Sequence, residues 1–224
     1  MTFTPLGDSA VVVALGAEPD EAALRRVRAL AEDVQRDCPA GVRDVVPAFA
    51  QVTVFYDATQ IGSYARLCAE LAARVERTEV RLISRKGRLV EIPVCYGGEY
   101  GADLAEVAAR ARLSEAAVIA LHSGADYLVE AVGFAPGFAY LGGLPEKIHT
   151  PRRVTPRTGV PAGTVGIGGA QTGVYPLATP GGWNLIGRTP LRLFDAGREE
   201  ASLLRTGDRV KFRSISAGEL ATWR

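Results

Sequence analysis

Histidine is almost missing from this chain: only His122 and His149 occur in 224 residues. There is no H-E-x-x-H, and no cysteine stands at ligand spacing from either histidine, so the common zinc arrangements are excluded and no metal ligands are expected. Cysteine is nearly as scarce. Cys38, Cys68 and Cys95 lie about thirty residues apart with no C-x-x-C, which fits reduced, mostly buried thiols in a cytoplasm rather than a disulfide frame. No apolar run approaches the roughly 18 residues that span a bilayer. The opening "MTFTPLGDSAVVVALGAEPDE" has no basic residue ahead of its apolar stretch, so a first strand is a simpler reading than a signal peptide. Net charge is only +1, with bases and acids interspersed, and gives no electrostatic case for nucleic acid or an anionic membrane. The serine-hydrolase elbow G-x-S-x-G is absent too.

What is present is hydrophobic patterning. "AVVVAL" (Ala10–Leu15) reads as a buried strand. From Glu21 to Cys38, Leu24, Val27, Leu30, Ala31 and Val34 follow a helical spacing. "VRDVVPAF" and "QVTVFYD" supply two strands, and Ile61, Tyr64, Leu67, Cys68, Leu71 and Val75 a second helix. This order predicts a small α+β (ferredoxin-like) domain over residues 1–85, with helices on one face of an antiparallel sheet. The polar, basic "TEVRLISRKGRLV" marks the boundary, with room for a strand pair around Lys86-Gly87. "LVEIPVCYGG" restarts a strand. Asp103 followed by Glu106 resembles a capping box for a helix through Ala111, and Ser114 is placed to cap another reaching His122. Beyond Asp126 the helical period vanishes. "YLVEAVGF", "AGTVGI", "WNLIG", "PLRLFD" and "DRVKFRSI" are short strands between Gly/Pro turns, predicting a compact β-barrel or sandwich in the second domain, residues 86–224.

Two stretches stand out chemically. "GFAPGFAYLGGLP" (Gly133–Pro145) packs three aromatics around Pro/Gly turns. From Gly159 to Gly187, nine glycines fall within 29 residues, preceded by Arg152, Arg153 and Arg157 and with Gln171, Thr172 and Tyr175 among them. A phosphate loop is excluded, because Gly168 and Gly173 are followed by Val174 and Tyr175 where Lys and Ser/Thr are required. A dinucleotide fingerprint fails as well, since Gln171 stands where its third glycine belongs. Glycines permit φ > 0 and close backbone approach, so the stretch is expected to form a concave, N–H-lined nest. Arginines beside it would suit a carboxylate or phosphate, and Gln171 and Thr172 an amide or hydroxyl. His122 is expected at a helix end in a structural role, and His149 in a loop near the site.

These two stretches, with "PLGDSAVVVALG" near the start, closely resemble the B subunits of the prokaryotic 5-oxoprolinases. That family is also called allophanate hydrolase subunit 1, or the KipI-type inhibitors of sensor histidine kinases, and carries a carboxyltransferase domain, subdomains C and D. The resemblance covers essentially the whole chain. It implies a small α/β domain followed by a cyclophilin-like β-barrel domain. It also implies two partners: a homologous second subunit (the C subunit of these oxoprolinases, or allophanate hydrolase subunit 2) and the lactam-utilisation protein that forms the A subunit. Together they would open the lactam of 5-oxo-L-proline to L-glutamate at the expense of ATP with Mg, this chain being inactive alone. A lactam is a poor electrophile, and phosphorylating its carbonyl oxygen would supply a leaving group before water attacks. Catalytic roles are then expected for Arg153, Arg157, Gln171 and Thr172. Substrate contacts are expected from Phe134, Pro136, Phe138, His149, Gly168, Gly169, Tyr175 and Trp183. The module is also similar to the carboxyltransferase part of urea carboxylase, which keeps a role in urea metabolism open beside kinase inhibition. Biotin carriers hold their group within an A-M-K-M-type sequence. Here the lysines are Lys86, Lys147 and Lys211 and the sole methionine is Met1, so no covalent biotin is expected.

Overall fold

The structure, a computed structural model, describes residues Met1–Glu79 and Arg88–Trp223. The chain divides into two compact units, Met1–Gly87 and Arg88–Arg224. The boundary expected at 85/86 and the strand pair at Lys86-Gly87 lie outside the described residues.

In the first unit, β1 (Thr2–Leu6), β2 (Ala10–Ala14), β3 (Val42–Ala48) and β4 (Gln51–Tyr56) form an antiparallel sheet in the order β1-β2-β4-β3. Strand β1 leaves little trace in the sequence because it is short, carries Pro5 and is mostly exposed, as befits an edge strand. Helices α1 (Glu21–Arg36) and α2 (Tyr64–Glu79) supply the other half of the core. The Asp20 carboxylate caps α1, accepting from the Ala23 N–H at 2.7 Å. Val11, Val13, Val52 and Val54 meet Val27, Leu30, Val34, Leu67 and Leu71 in one cluster. Buried Arg74 ties the two helices, donating to Asp33 at 3.1 Å, Asp37 at 3.0 Å and Glu70 at 2.9 Å. Among the cysteines, Cys95 is buried, Cys68 half-buried and Cys38 exposed. The expectation of mostly buried thiols therefore fails at Cys38, which lies just beyond the last turn of α1.

The second unit is a closed, mixed seven-stranded barrel. Its strands are β5 (Leu89–Tyr96), β6 (Tyr127–Val132), β7 (Ala139–Gly142), β9 (Thr164–Gly168), β10 (Gln171–Val174), β12 (Asn184–Arg188) and β13 (Arg209–Ser214). Their order is β6-β13-β5-β12-β9-β10-β7, closed by the β6–β7 pair. All neighbours are antiparallel except β13 and β5. Helices α3 (Leu104–Ala111) and α4 (Glu115–Gly124) and a ribbon of β8 (Arg157–Val160) with β11 (Thr179–Gly181) flank it, and α5 (Ala217–Thr222) lies near the chain's end. The interior is apolar and mostly aliphatic, with Ile92, Val94, Val129, Leu141, Val165, Ile167, Val174 and Ile186 joined by the ring of Phe212. Ser114 caps α4 as expected, accepting from Ala117 N–H at 3.2 Å. "PLRLFD" is not a strand; only an isolated Phe194–Ser202 bridge forms there. Among the described residues no helix is long and apolar enough to cross a membrane.

Candidate functional site

Alternation along the strands sorts the barrel's two faces. On β9, Val165 and Ile167 point inward, so Gly166 and Gly168 form the outer face; on β10, Thr172 and Val174 point inward and Gln171 and Gly173 outward. The glycines thus pave an outer wall, and a second hydrophobic cluster of Phe138, Val160, Tyr175, Trp183 and Leu185 lies flat on it. A Cβ at Gly168 would come within 2.6 Å of the Trp183 indole, and one at Gly173 within 2.7 Å of the Ala139 carbonyl. Within this stretch only Gly163 and Gly169 have positive φ. The expected N–H-lined nest is therefore replaced by close approach: glycine serves here mainly so that large rings can touch backbone.

The aromatics run outward as a stepped row. Phe138 meets Tyr175, Trp183 and Tyr140 edge-on, with centroids 5.4, 5.4 and 5.0 Å apart, and Phe134 meets Phe138 at 5.4 Å. Tyr140 lies 6.0 Å from Trp183. Phe134 is 64% exposed and held at φ +70°, a strained conformation for a bulky side chain. Exposed Pro136 and buried Gly137 form the turn behind it, closed by Phe138 N–H to Ala135 carbonyl at 2.9 Å. The Arg152 guanidinium stands 5.8 Å over the Trp183 ring, a cation–π distance, and makes no ion pair among the described residues.

Arg153 and Arg157 are placed differently. Both are committed to the carboxylate of Asp103: Arg153 Nη1 donates at 3.1 Å and Arg157 Nη2 at 2.7 Å, while the other oxygen accepts from Leu185 N–H at 2.7 Å. Arg153 also reaches Glu106 at 3.3 Å. Asp103 sits at the start of α3 but makes no side-chain cap bond. The capping-box expectation is overturned: Asp103 turns inward to clamp the arginine-bearing loop and the β8–β11 ribbon onto the barrel.

Thr172 is fully buried inside the barrel. Its hydroxyl lies 2.9 Å from the Gly166 carbonyl and 2.9 Å from His122 Nε2, whose Nδ1 is 2.8 Å from the Tyr96 hydroxyl. One proton assignment satisfies every group. Tyr96 donates to Nδ1, Nε2–H donates to Thr172, and Thr172 donates to the Gly166 carbonyl. Burial holds the His122 pKa down at about 3, so the ring stays neutral. His122 has the structural role expected of it, and Thr172 is occupied with it. His149 is engaged too, its Nε2 lying 2.9 Å from the Leu144 carbonyl.

Gln171 is the one expected catalytic residue that reaches the outer face without an ion pair or burial. Its Nε2 donates to Glu130 Oε2 at 2.6 Å. Glu130, an acid within the apolar strand "YLVEAV", escapes the sequence reading, although that isolated charge is the available signal. Register explains its position. Val129 pairs with Leu141 and Ala131 with Tyr140, so Glu130 is the extra residue of a β-bulge. The inward phase shifts accordingly, from Tyr127 and Val129 before the bulge to Val132 after it. Its carboxyl lies across Gly142, where a Cβ would overlap Oε1. Burial pushes the Glu130 pKa above the usual carboxylate range, while the bond from Gln171 pulls it down. Of the other expected contacts, Gly168 lies beneath Trp183, Gly169 turns the β9–β10 hairpin beside Thr150, and Tyr175 is buried with its hydroxyl against Gly181. No cluster of three or more His, Cys, Asp or Glu suited to a metal occurs among the described residues.

Comparison with known proteins places this architecture. The family described as carboxyltransferase domain, subdomain C and D, matches residues 1–204. The chain is similar to the 5-oxoprolinase B subunit of Escherichia coli O157:H7, 48% identical over 209 residues covering 92% of this chain and 93% of that one. A solved structure of the protein TTHA0988 is 42% identical with a TM-score of 0.80, covering 92% of this chain; this chain spans only 40% of that longer one. The Kluyveromyces lactis urea carboxylase shares the fold, with a TM-score of 0.74 at 21% identity over 98% of this chain and 22% of the other. The chain belongs to the carboxyltransferase-domain (subdomain C and D) family, among its 5-oxoprolinase B-subunit members.

Proposed function

We propose that this family member is the B subunit of a cytoplasmic 5-oxoprolinase complex, which hydrolyses 5-oxo-L-proline to L-glutamate with consumption of ATP and Mg. The observation that carries the reading is the match to relatives named as 5-oxoprolinase B subunits, at 44–48% identity over more than nine-tenths of both chains. The partners are a homologous second subunit, the C-type one, together with a lactam-utilisation protein, and the barrel is read as cyclophilin-like. The chain carries no biotin of its own and is inactive alone.

The outer barrel face offers what a small, flat, anionic lactam needs. Half-buried Tyr140 provides ring surface over buried Trp183, the exposed Arg152 cation stands above the indole, and Gln171 with Glu130 provides hydrogen-bonding groups. In this reading Arg152, rather than Arg153 or Arg157, meets the substrate carboxylate, because the latter two already neutralise Asp103. The test is to co-purify the candidate subunits and follow ATP-dependent glutamate release from 5-oxoproline, with urea, bicarbonate and a biotin carrier as the competing assay. Glutamate release is expected; its absence from a well-folded complex overturns the reading.

A further inference from the structure

The bulge at Glu130 has a geometric result that the rest of the barrel does not require. An ordinary β6 would alternate through this position and keep its pairing with β7 in step. The one-residue slip between Val129–Leu141 and Ala131–Tyr140 instead leaves two successive residues, Glu130 and Ala131, outside the barrel's aliphatic core. It lays the Glu130 carboxyl across Gly142, in the space that a Cβ there would take. Because Thr172 pairs with Leu141, Gln171 projects beside that same glycine on the outer face. Gln171 is also the cross-strand partner of Gly168, on which the Trp183 ring rests. The acid–amide pair thus abuts the aromatic row.

The pair presents a defined set of free hydrogen-bonding atoms. One Gln171 Nε2 hydrogen is used on Glu130 Oε2. Among the described residues, the other Nε2 hydrogen remains to donate and Glu130 Oε1 remains to accept. A donor and an acceptor fixed side by side complement one edge of a cis amide, whose N–H and C=O point the same way. Peptide bonds are almost always trans and present those groups on opposite sides. A five-membered lactam must be cis.

We propose that Glu130 and Gln171 form a lactam-reading pair: Glu130 Oε1 accepts the ring N–H while Gln171 Nε2 donates to the ring carbonyl. The ligand class is a small cyclic amide, held on the outer face beside Gly142. This inference rests on the proposed 5-oxoprolinase function and deepens it, making Glu130 a specificity-determining residue. A site that spends a buried acceptor on an N–H rejects ligands lacking that hydrogen, since the acceptor is then desolvated and unpaired. Discrimination between a lactam and its N-methyl analogue therefore passes through Glu130.

The experiment is calorimetric titration of the co-purified complex with 5-oxo-L-proline and with its N-methyl analogue, for wild type, Glu130→Ala and Glu130→Gln. Wild type is expected to favour the N–H form by about 10-fold to 100-fold. Glu130→Ala is expected to bring that ratio close to one, and Glu130→Gln to restore part of it through its amide carbonyl. A melting curve for each variant separates a misfolded protein from a misreading one. Should Glu130→Ala bind weakly because its barrel is loosened, both ligands lose affinity together and Glu130→Gln carries the decision. An unchanged preference in folded variants, while glutamate is still released from 5-oxoproline, overturns the lactam-reading pair and leaves the function standing. A folded wild-type complex that neither binds nor turns over 5-oxoproline overturns the function, and the pair with it.

Discussion

His122 Nε2 and Thr172 Oγ1 lie 2.9 Å apart inside the barrel, joining α4 to β10 through a chain that starts at the Tyr96 hydroxyl and ends at the Gly166 carbonyl. Every donor in that chain has an acceptor. Thr172→Val keeps the shape and removes the middle link, stranding His122 Nε2–H. Urea denaturation is expected to show a loss of about 1–3 kcal/mol. Ligand affinity of the folded complex is expected to stay within about twofold of wild type; a large selective loss of affinity would return Thr172 to the site.

The same histidine sets an acid limit. Its pKa falls from the ordinary 6.5 to about 3 on folding, so between those values the unfolded chain binds a proton that the folded one refuses. Stability from this group is therefore complete above pH 6.5 and is lost as pH drops toward 3, at up to about 1.4 kcal/mol per unit. Denaturation midpoints measured across roughly pH 4–7 are expected to fall more steeply for wild type than for His122→Gln, which does not titrate.

Asp103 holds two arginines and a backbone N–H with one buried carboxylate. Asp103→Ala leaves Leu185 N–H unpaired and two cations together. A cost of about 2–3 kcal/mol is expected, below that of a fully buried pair because both arginines are about one-third exposed. Hydrogen exchange is expected to speed up in the β8–β11 ribbon before it does in β5 or β13.

Gly168→Ala drives a methyl into the Trp183 indole. The expected loss is about 1–3 kcal/mol, with quenched or shifted indole fluorescence. In a double-mutant cycle with Trp183→Leu the two costs are expected not to add, because the smaller side chain removes the collision.

Legibility follows the kind of signal each element leaves. Helices α1 and α2 are readable from Leu24, Val27, Leu30 and Val34 and from Leu67, Leu71 and Val75, whose spacing alone defines a buried face. The barrel strands are readable as short apolar pieces between turns, but their order is not, since pairing partners such as Arg209 and Leu89 carry no local trace of each other. The site is partly readable. Phe138 and Trp183 pack together with Gln171 on the neighbouring strand position, whereas Arg153 and Arg157 look free in the sequence only because their partner, Asp103, lies some fifty residues away and resembles a helix cap. Glu130 is hidden because a bulge is a relation between two strands, not a pattern within one.

The parallel pairing of β13 with β5 also governs when this unit can assemble. Arg209 lies beside Leu89 and Ser214 beside Val94, partners as far apart in sequence as Arg88 and Asp208, which are separated by 120 positions. On a ribosome, β5 emerges early and waits unpaired on that edge until almost the whole unit has been synthesised. Such distant contacts slow folding. A chain interrupted between Val132 and Arg209 keeps β5 and β6 without the strand between them, leaving open sheet edges.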